Sequence, residues 1–68
     1  MKNLIKVERA RHNLTQAELA EKVKVARQTI IAIEAGKFVP SATLAFKIAT
    51  ALQCKADDIF KLEDEDWL

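Results

Sequence analysis

One cysteine, one proline, one glycine and no tyrosine occur in 68 residues. A lone Cys54 leaves no intramolecular disulfide to staple the fold. His12 and Cys54 cannot make a metal site by themselves, since zinc needs three or four such ligands. No apolar run approaches the ~20 residues of a membrane span. The stretch MKNLIKVERAR has neither the apolar core nor the cleavage pattern of a secretory leader. The expected location is the cytoplasm, with no membrane partner. No nucleophile–base set, paired-carboxylate cleft or phosphate-cradling loop is present, so no enzyme, cofactor or small-molecule ligand is expected. The acidic run EDED at 63–66 lacks the loop that holds calcium. There is no repeat or linker. A chain this short buries only ~60% of its unfolded surface. Helical packing, with or without a second copy of the chain, must supply the stability.

Net charge is +1, but it is unevenly spread. Residues 1–48 hold nine Lys and Arg against four Asp and Glu. Residues 49–68 hold two against six. Such a polar molecule can turn a basic face to phosphates and keep an acidic tail away from them. Uneven scatter in a short chain is the alternative.

The apolar spacing predicts helices. A first helix fits residues 4–12, with Leu4, Ile5 and Val7 turned inward. Asn13 tolerates a left-handed conformation and ends it, so Leu14 packs back on the core. Thr15 and Glu18 form a capping box that starts a second helix, from about Gln16 to Lys22. Val23-Lys24-Val25 is a turn. A third helix runs from about Arg27 to Glu34, and Gly36 ends it. Leu19, Ala20 and Val23 share one face of the second helix, Ile30 and Ile33 one face of the third, and Val25 plugs the gap. Helices this short, joined by so tight a turn, must cross as in a helix-turn-helix. Lys37-Phe38-Val39-Pro40 is a connector, and Pro40 blocks helix propagation. Ser41 caps a fourth helix over 42–52, with Leu44, Ile48 and Leu52 in one stripe and Ala45 and Ala49 allowing close approach. A fifth short helix fits Asp57–Lys61. Asp57 and Asp58 suit its positive end, and Ile59 and Phe60 close the core.

The third helix turns Arg27, Gln28, Ile31 and Ala32 away from its apolar face, as candidate base contacts. The Gln28 amide matches the donor and acceptor of adenine in the major groove. Arg27 can take guanine or a phosphate, and Ile31 can pack on a thymine methyl. Gln16, Thr29 and Lys37 are candidate phosphate contacts. Gln16 adds its amide to the free N–H groups of a helix start.

The segments LTQAELAEK, VARQTI, IEAGK, VPS and TLAFKIATAL occur in the order and spacing of the Cro/phage-repressor, or Xre, helix-turn-helix family. The chain resembles that family over roughly residues 4–60. The resemblance implies an all-α, five-helix, lambda-repressor-like DNA-binding domain spanning 1–68. Its helix pair would lie at about 16–34. The length left after Phe60 argues for a short strand or an extended arm in the C-terminal tail, 61–68. The resemblance also implies that the third helix enters the major groove. Positions matching Arg27 and Gln28 contact bases there, and the one matching Gln16 contacts backbone. Arg9 and Glu34 match a pair that meets to orient the reading helix, a structural role. The chain departs from the pattern at several positions. Lys24 replaces a glycine of positive φ. Ala26 replaces a serine or threonine cap, and Phe38 a tyrosine. Gln53 and Lys55 replace glycine and a capping serine, and Glu8 replaces a buried leucine. Cys54 matches an apolar position and is expected to be a small buried hydrophobe.

The leading expectation is a homodimeric repressor on a palindromic operator of double-stranded DNA, with reading helices ~34 Å apart. The alternative is an antitoxin or other protein-binding module on the same fold. Leu62, Trp67 and Leu68 are costly to leave in water, so the tail is expected to cover the first helix or the partner copy.

Overall fold

The computed structural model describes residues 1–68. Five helices follow one another: α1 (Ile5–Arg11), α2 (Gln16–Val23), α3 (Arg27–Glu34), α4 (Ala42–Ala51) and α5 (Ala56–Ile59). Two short strands, β1 (Lys2–Asn3) and β2 (Phe60–Lys61), pair antiparallel with Lys2 opposite Lys61 and Asn3 opposite Phe60. A 3-10 helix covers Asp64–Trp67. The result is the expected five-helix lambda-repressor-like fold, with a short β-ribbon added.

The core is made where the apolar spacing places it. Ile5, Leu19, Ala20, Val23, Ile30, Ile33, Ile48, Ala49, Leu52 and Ile59 form one buried cluster. Leu14, Val25, Leu44 and Phe60 pack against it from partly covered positions. The α2 helix lies against both α3 and α4, and α4 lies against α5. Leu4 and Val7 do not face inward; they are 44% and 49% exposed. Seven residues make fewer than two helical turns, and Ile5 alone of α1 reaches the buried cluster.

Four helices end on the same device. Asn13, Lys24, Gly36 and Gln53 all have positive φ, between 54° and 76°. At each, the next residue's N–H reaches back to a carbonyl one turn earlier: Leu14 to Arg9, Val25 to Ala20, Lys37 to Ala32 and Cys54 to Ala49, at 2.9–3.0 Å. This satisfies carbonyls that a helix end leaves free. Only one of the four sites carries glycine, and the other three residues bear the Cβ strain of that conformation.

The C-terminal segment differs from expectation. The α5 helix stops at Ile59, and Phe60 is extended at φ −106°, ψ 132°. Phe60 and Lys61 leave the helix because β1 offers them a partner, and the Leu4 N–H extends the ladder to the Ile59 carbonyl at 2.9 Å. The strand therefore takes Phe60–Lys61, not the stretch after it. Leu62, Trp67 and Leu68 cover nothing within the chain and are 61%, 75% and 105% exposed. The Met1 amino group bridges Glu63 at 3.1 Å and Asp66 at 3.3 Å, which holds the 3-10 helix beside β1. No helix is long and apolar enough to cross a membrane.

Candidate nucleic-acid interface

The α3 helix is sealed on one side and open on the other. Ile30 and Ile33 are buried at 0% and 1% exposure. Arg27 and Gln28 are exposed, and Thr29, Ile31 and Ala32 are half-buried. Lys37 stands exposed just past Gly36. An open concavity of about 400 Å³ is lined by Gln28, Thr29, Ala32, Lys37 and Phe38. Four of the sequence-selected residues thus share one surface. Phe38 joins them at 48% exposure, so it is less covered than a packing residue would be.

Arg27 and Gln16 are placed differently. The Arg27 Nη2 points to Gln16 Oε1 at 3.5 Å, and Gln16 Nε2 donates to Glu34 Oε1 at 3.2 Å. Gln16 is therefore tied to both ends of α3, a link not foreseen from sequence. Ile31 lies off the concavity, on the same helix.

Arg9 and Glu34 meet as a bidentate pair. Arg9 Nε donates to Glu34 Oε2 at 2.6 Å, and Nη2 donates to Oε1 at 3.1 Å. The third guanidinium bond, from Nη1, goes to the Leu14 carbonyl at 3.0 Å. Both side chains are largely covered, at 14% and 10% exposure. Two parallel charge-assisted bonds fix an angle as well as a distance. One carboxylate thereby joins α1, the start of α2 and the end of α3.

Asn3 was not singled out from sequence. Its Nδ2 donates to the Ile33 carbonyl at 2.9 Å, and its Oδ1 accepts from the Ile5 N–H at 3.2 Å. It pins the ribbon to the end of α3. No local pattern announces this, because the contact depends on a strand whose partner lies far along the chain.

The helix starts are unlike. Thr15 Oγ1 accepts from the Glu18 N–H at 3.0 Å, and Glu18 Oε1 accepts from the Thr15 N–H at 2.9 Å. These bonds hold the Glu18 carboxyl below its ordinary range. Ala26 gives α3 no side-chain cap.

Cys54 is half-buried rather than fully enclosed, and its thiol donates to Glu8 Oε1 at 3.3 Å. Partial burial pushes the thiol pKa up, and Glu8 adds to the shift. A raised pKa leaves it protonated and unreactive near neutrality. Glu8, standing where the family pattern buries leucine, finds partners in this thiol and in Arg11, at 3.6 Å.

Comparison with known proteins agrees with this geometry. A family model described as helix-turn-helix matches residues 5–59. An uncharacterized HTH-type transcriptional regulator of Methanocaldococcus jannaschii is 59% identical over 66 residues, covering 97% of this chain and 100% of the relative. One of Bacillus subtilis is 50% identical over the same shares. One of Archaeoglobus fulgidus is 47% identical, covering 97% and 93%. The matched region contains all five helices, the Arg9–Glu34 pair and the open face of α3. The chain belongs to the Xre/Cro-like family of helix-turn-helix transcriptional regulators.

Proposed function

We propose that the protein is a sequence-specific regulator, acting as a repressor, that binds a palindromic duplex as a homodimer and inserts α3 in the major groove. The observation that carries this reading is the open face of α3. Gln28, Thr29, Ala32 and Lys37 share one concave surface there, on a helix clamped from behind by Arg9 and Glu34. Gln28 and Arg27 read base edges, and Ile31 and Ala32 offer apolar contact to thymine methyls. Gln16, Thr29 and Lys37 hold phosphates. Arg27 lies 3.5 Å from Gln16, which supports the reading by standing a candidate base contact beside a candidate phosphate contact. Exposed Arg27 and Lys37 put positive charge on this side, which favours its approach to phosphates. Two-fold symmetric copies fit a palindrome.

Selection of bound sequences from random duplexes tests the reading. A palindromic consensus is the expected result. With that consensus, Gln28→Ala should relax the preference at one position by about 1–3 kcal/mol. Lys37→Ala should weaken all duplexes alike and lower the salt slope by about 1. Equal, salt-insensitive affinity for every duplex would reject the proposal.

A further inference from the structure

A second concavity, of about 560 Å³, lies away from α3. It is lined by Lys22 of α2 and by Thr43, Phe46, Lys47, Thr50 and Ala51 of α4. Phe46 is 64% exposed at its centre. It is the one large apolar residue of α4 that the core does not use. Lys22 and Lys47 flank it, and no carboxylate lies within ion-pair distance of either. The site is therefore lined by an exposed aromatic ring and two cations without a direct ion pair, of which Lys22 also feels Glu18 one turn back on α2.

The same chain carries the complement. The 3-10 helix Asp64–Trp67 leaves Trp67 75% exposed. Glu63 and Asp66 are occupied with the Met1 amino group. Asp64 and Glu65 are exposed and make no ion pair. In a 3-10 helix, residues three apart eclipse, so Asp64 and Trp67 share one edge. That edge offers an aromatic ring and a carboxylate together. Its own groove is empty of it, since Trp67 is exposed.

We infer that the 64–68 segment of one copy docks in the Phe46 groove of a second copy, with Trp67 on Phe46 and with Asp64 and Glu65 between Lys22 and Lys47. This rests on the homodimer reading above and gives the second copy a place to bind. Ring-on-ring contact supplies the apolar area. The charges supply orientation and make the contact sensitive to salt. The two surfaces are different, so each contact is heterologous. It closes a pair if exchanged reciprocally and extends a row if not.

Trp67 is the single tryptophan, so its emission reports docking directly. The full chain, without DNA, is followed by fluorescence and sedimentation from low micromolar to millimolar concentration. The expected result is a blue shift that tracks the gain in mass and fades with added salt. Phe46→Ser leaves the fold intact, because Phe46 is outside the core, and should weaken assembly at least tenfold. Lys22→Glu with Lys47→Glu should do the same. Phe46→Ser keeps a sound tail and Trp67→Ala keeps a sound groove. Each alone should assemble at least tenfold more weakly than the full chain, and their equimolar mixture should assemble better than either, as a two-chain species joined by one sound contact. Any of three results overturns the inference: emission that never shifts, assembly that survives Phe46→Ser, or a mixture that assembles no better than either variant alone. A further result also overturns it, namely charge reversals that weaken duplex binding but leave assembly unchanged, since the lysines would then serve phosphate. Assembly by this contact in a chain that selects no duplex would sink the DNA reading alone.

Discussion

The two helices of the helix-turn-helix pair are equally long, at eight residues each, yet their side-chain bonds fix them at opposite ends. The α2 helix is fixed at its start by the reciprocal Thr15–Glu18 bonds. The α3 helix starts bare at Ala26 and is fixed at its finish, by Arg9 on Glu34 and by Asn3 on the Ile33 carbonyl. An uncapped start keeps backbone donors free and points positive potential outward. A clamped finish keeps that start from wandering. Local stability is thus low at the start of α3, beside Arg27 and Gln28, and high at its finish, where the clamp stands behind Lys37.

Breaking the clamp should have the largest effect. Glu34→Ala leaves the Arg9 guanidinium covered and without its carboxylate, and should cost about 3 kcal/mol in urea unfolding. Arg9→Ala should cost nearly as much, and the double variant little more than either. Additive losses would show that the two residues act separately and that the angle of α3 is set elsewhere.

Supplying the missing cap should come next, with the opposite sign. Ala26→Ser should stabilise by about 1 kcal/mol. Ala26→Asp should stabilise similarly while weakening every duplex, because its carboxylate would stand beside Thr29, a proposed phosphate contact, and repel the phosphate. If Ala26→Asp leaves duplex affinity unchanged, the start of α3 is not at the phosphate backbone.

Relieving the turn between the helices is smaller. Lys24 sits at φ 60°, and Lys24→Gly should add roughly 0.5–1 kcal/mol, the strain removed less the entropy glycine loses on folding. Gly36→Ala should lose about as much by thermal unfolding. Nothing lies within 4 Å of the added Cβ, so the loss comes from φ alone.

The pH response should be the mildest and should belong to α2. The folded state lowers the Glu18 carboxyl below its ordinary 4.5. Its contribution is present above that value and is lost as pH falls through the lower folded value. Glu18→Gln should flatten the acid limb of a stability–pH curve. The tail carries the mirror case. Contact with Glu63 raises the Met1 amino group above 8.0. Its contribution is present below 8.0 and fades as pH rises through the raised value.

The helices and the core were legible because periodic apolar spacing reports directly on which face is buried. Leu19, Ala20, Val23, Ile30, Ile33, Ile48 and Ile59 all fell where expected. The helix ends were legible too. Thr15 and Ser41 carry cap chemistry, and Asn13 and Gly36 tolerate left-handed backbone. Lys24 and Gln53 were marked only by standing where the family pattern has glycine. The ribbon was not legible. Two-residue strands have no period to read, and Phe60 fits a short helix until Asn3 competes for it. Leu4 and Val7 misled because an apolar residue on a short helix need not find a neighbour. In the candidate site, exposure of Gln28 and Lys37 followed from the helix face. The hold of Glu34 on Gln16 did not, since it joins residues 18 apart on crossing helices.

The β1–β2 ribbon also bears on the order of events during synthesis. Residues 2–3 leave the ribosome long before Phe60 and Lys61, their partners. Contacts between α2 and α3 are local, and local contacts form early. The helix pair can therefore assemble while Asn3 still lacks the strand that steadies it. Locking of the α3 finish to the ribbon waits for Phe60 and Lys61. Truncation before Phe60 should leave a nascent chain with both helices formed and the Ile33 carbonyl held by the Gly36 N–H but not by Asn3.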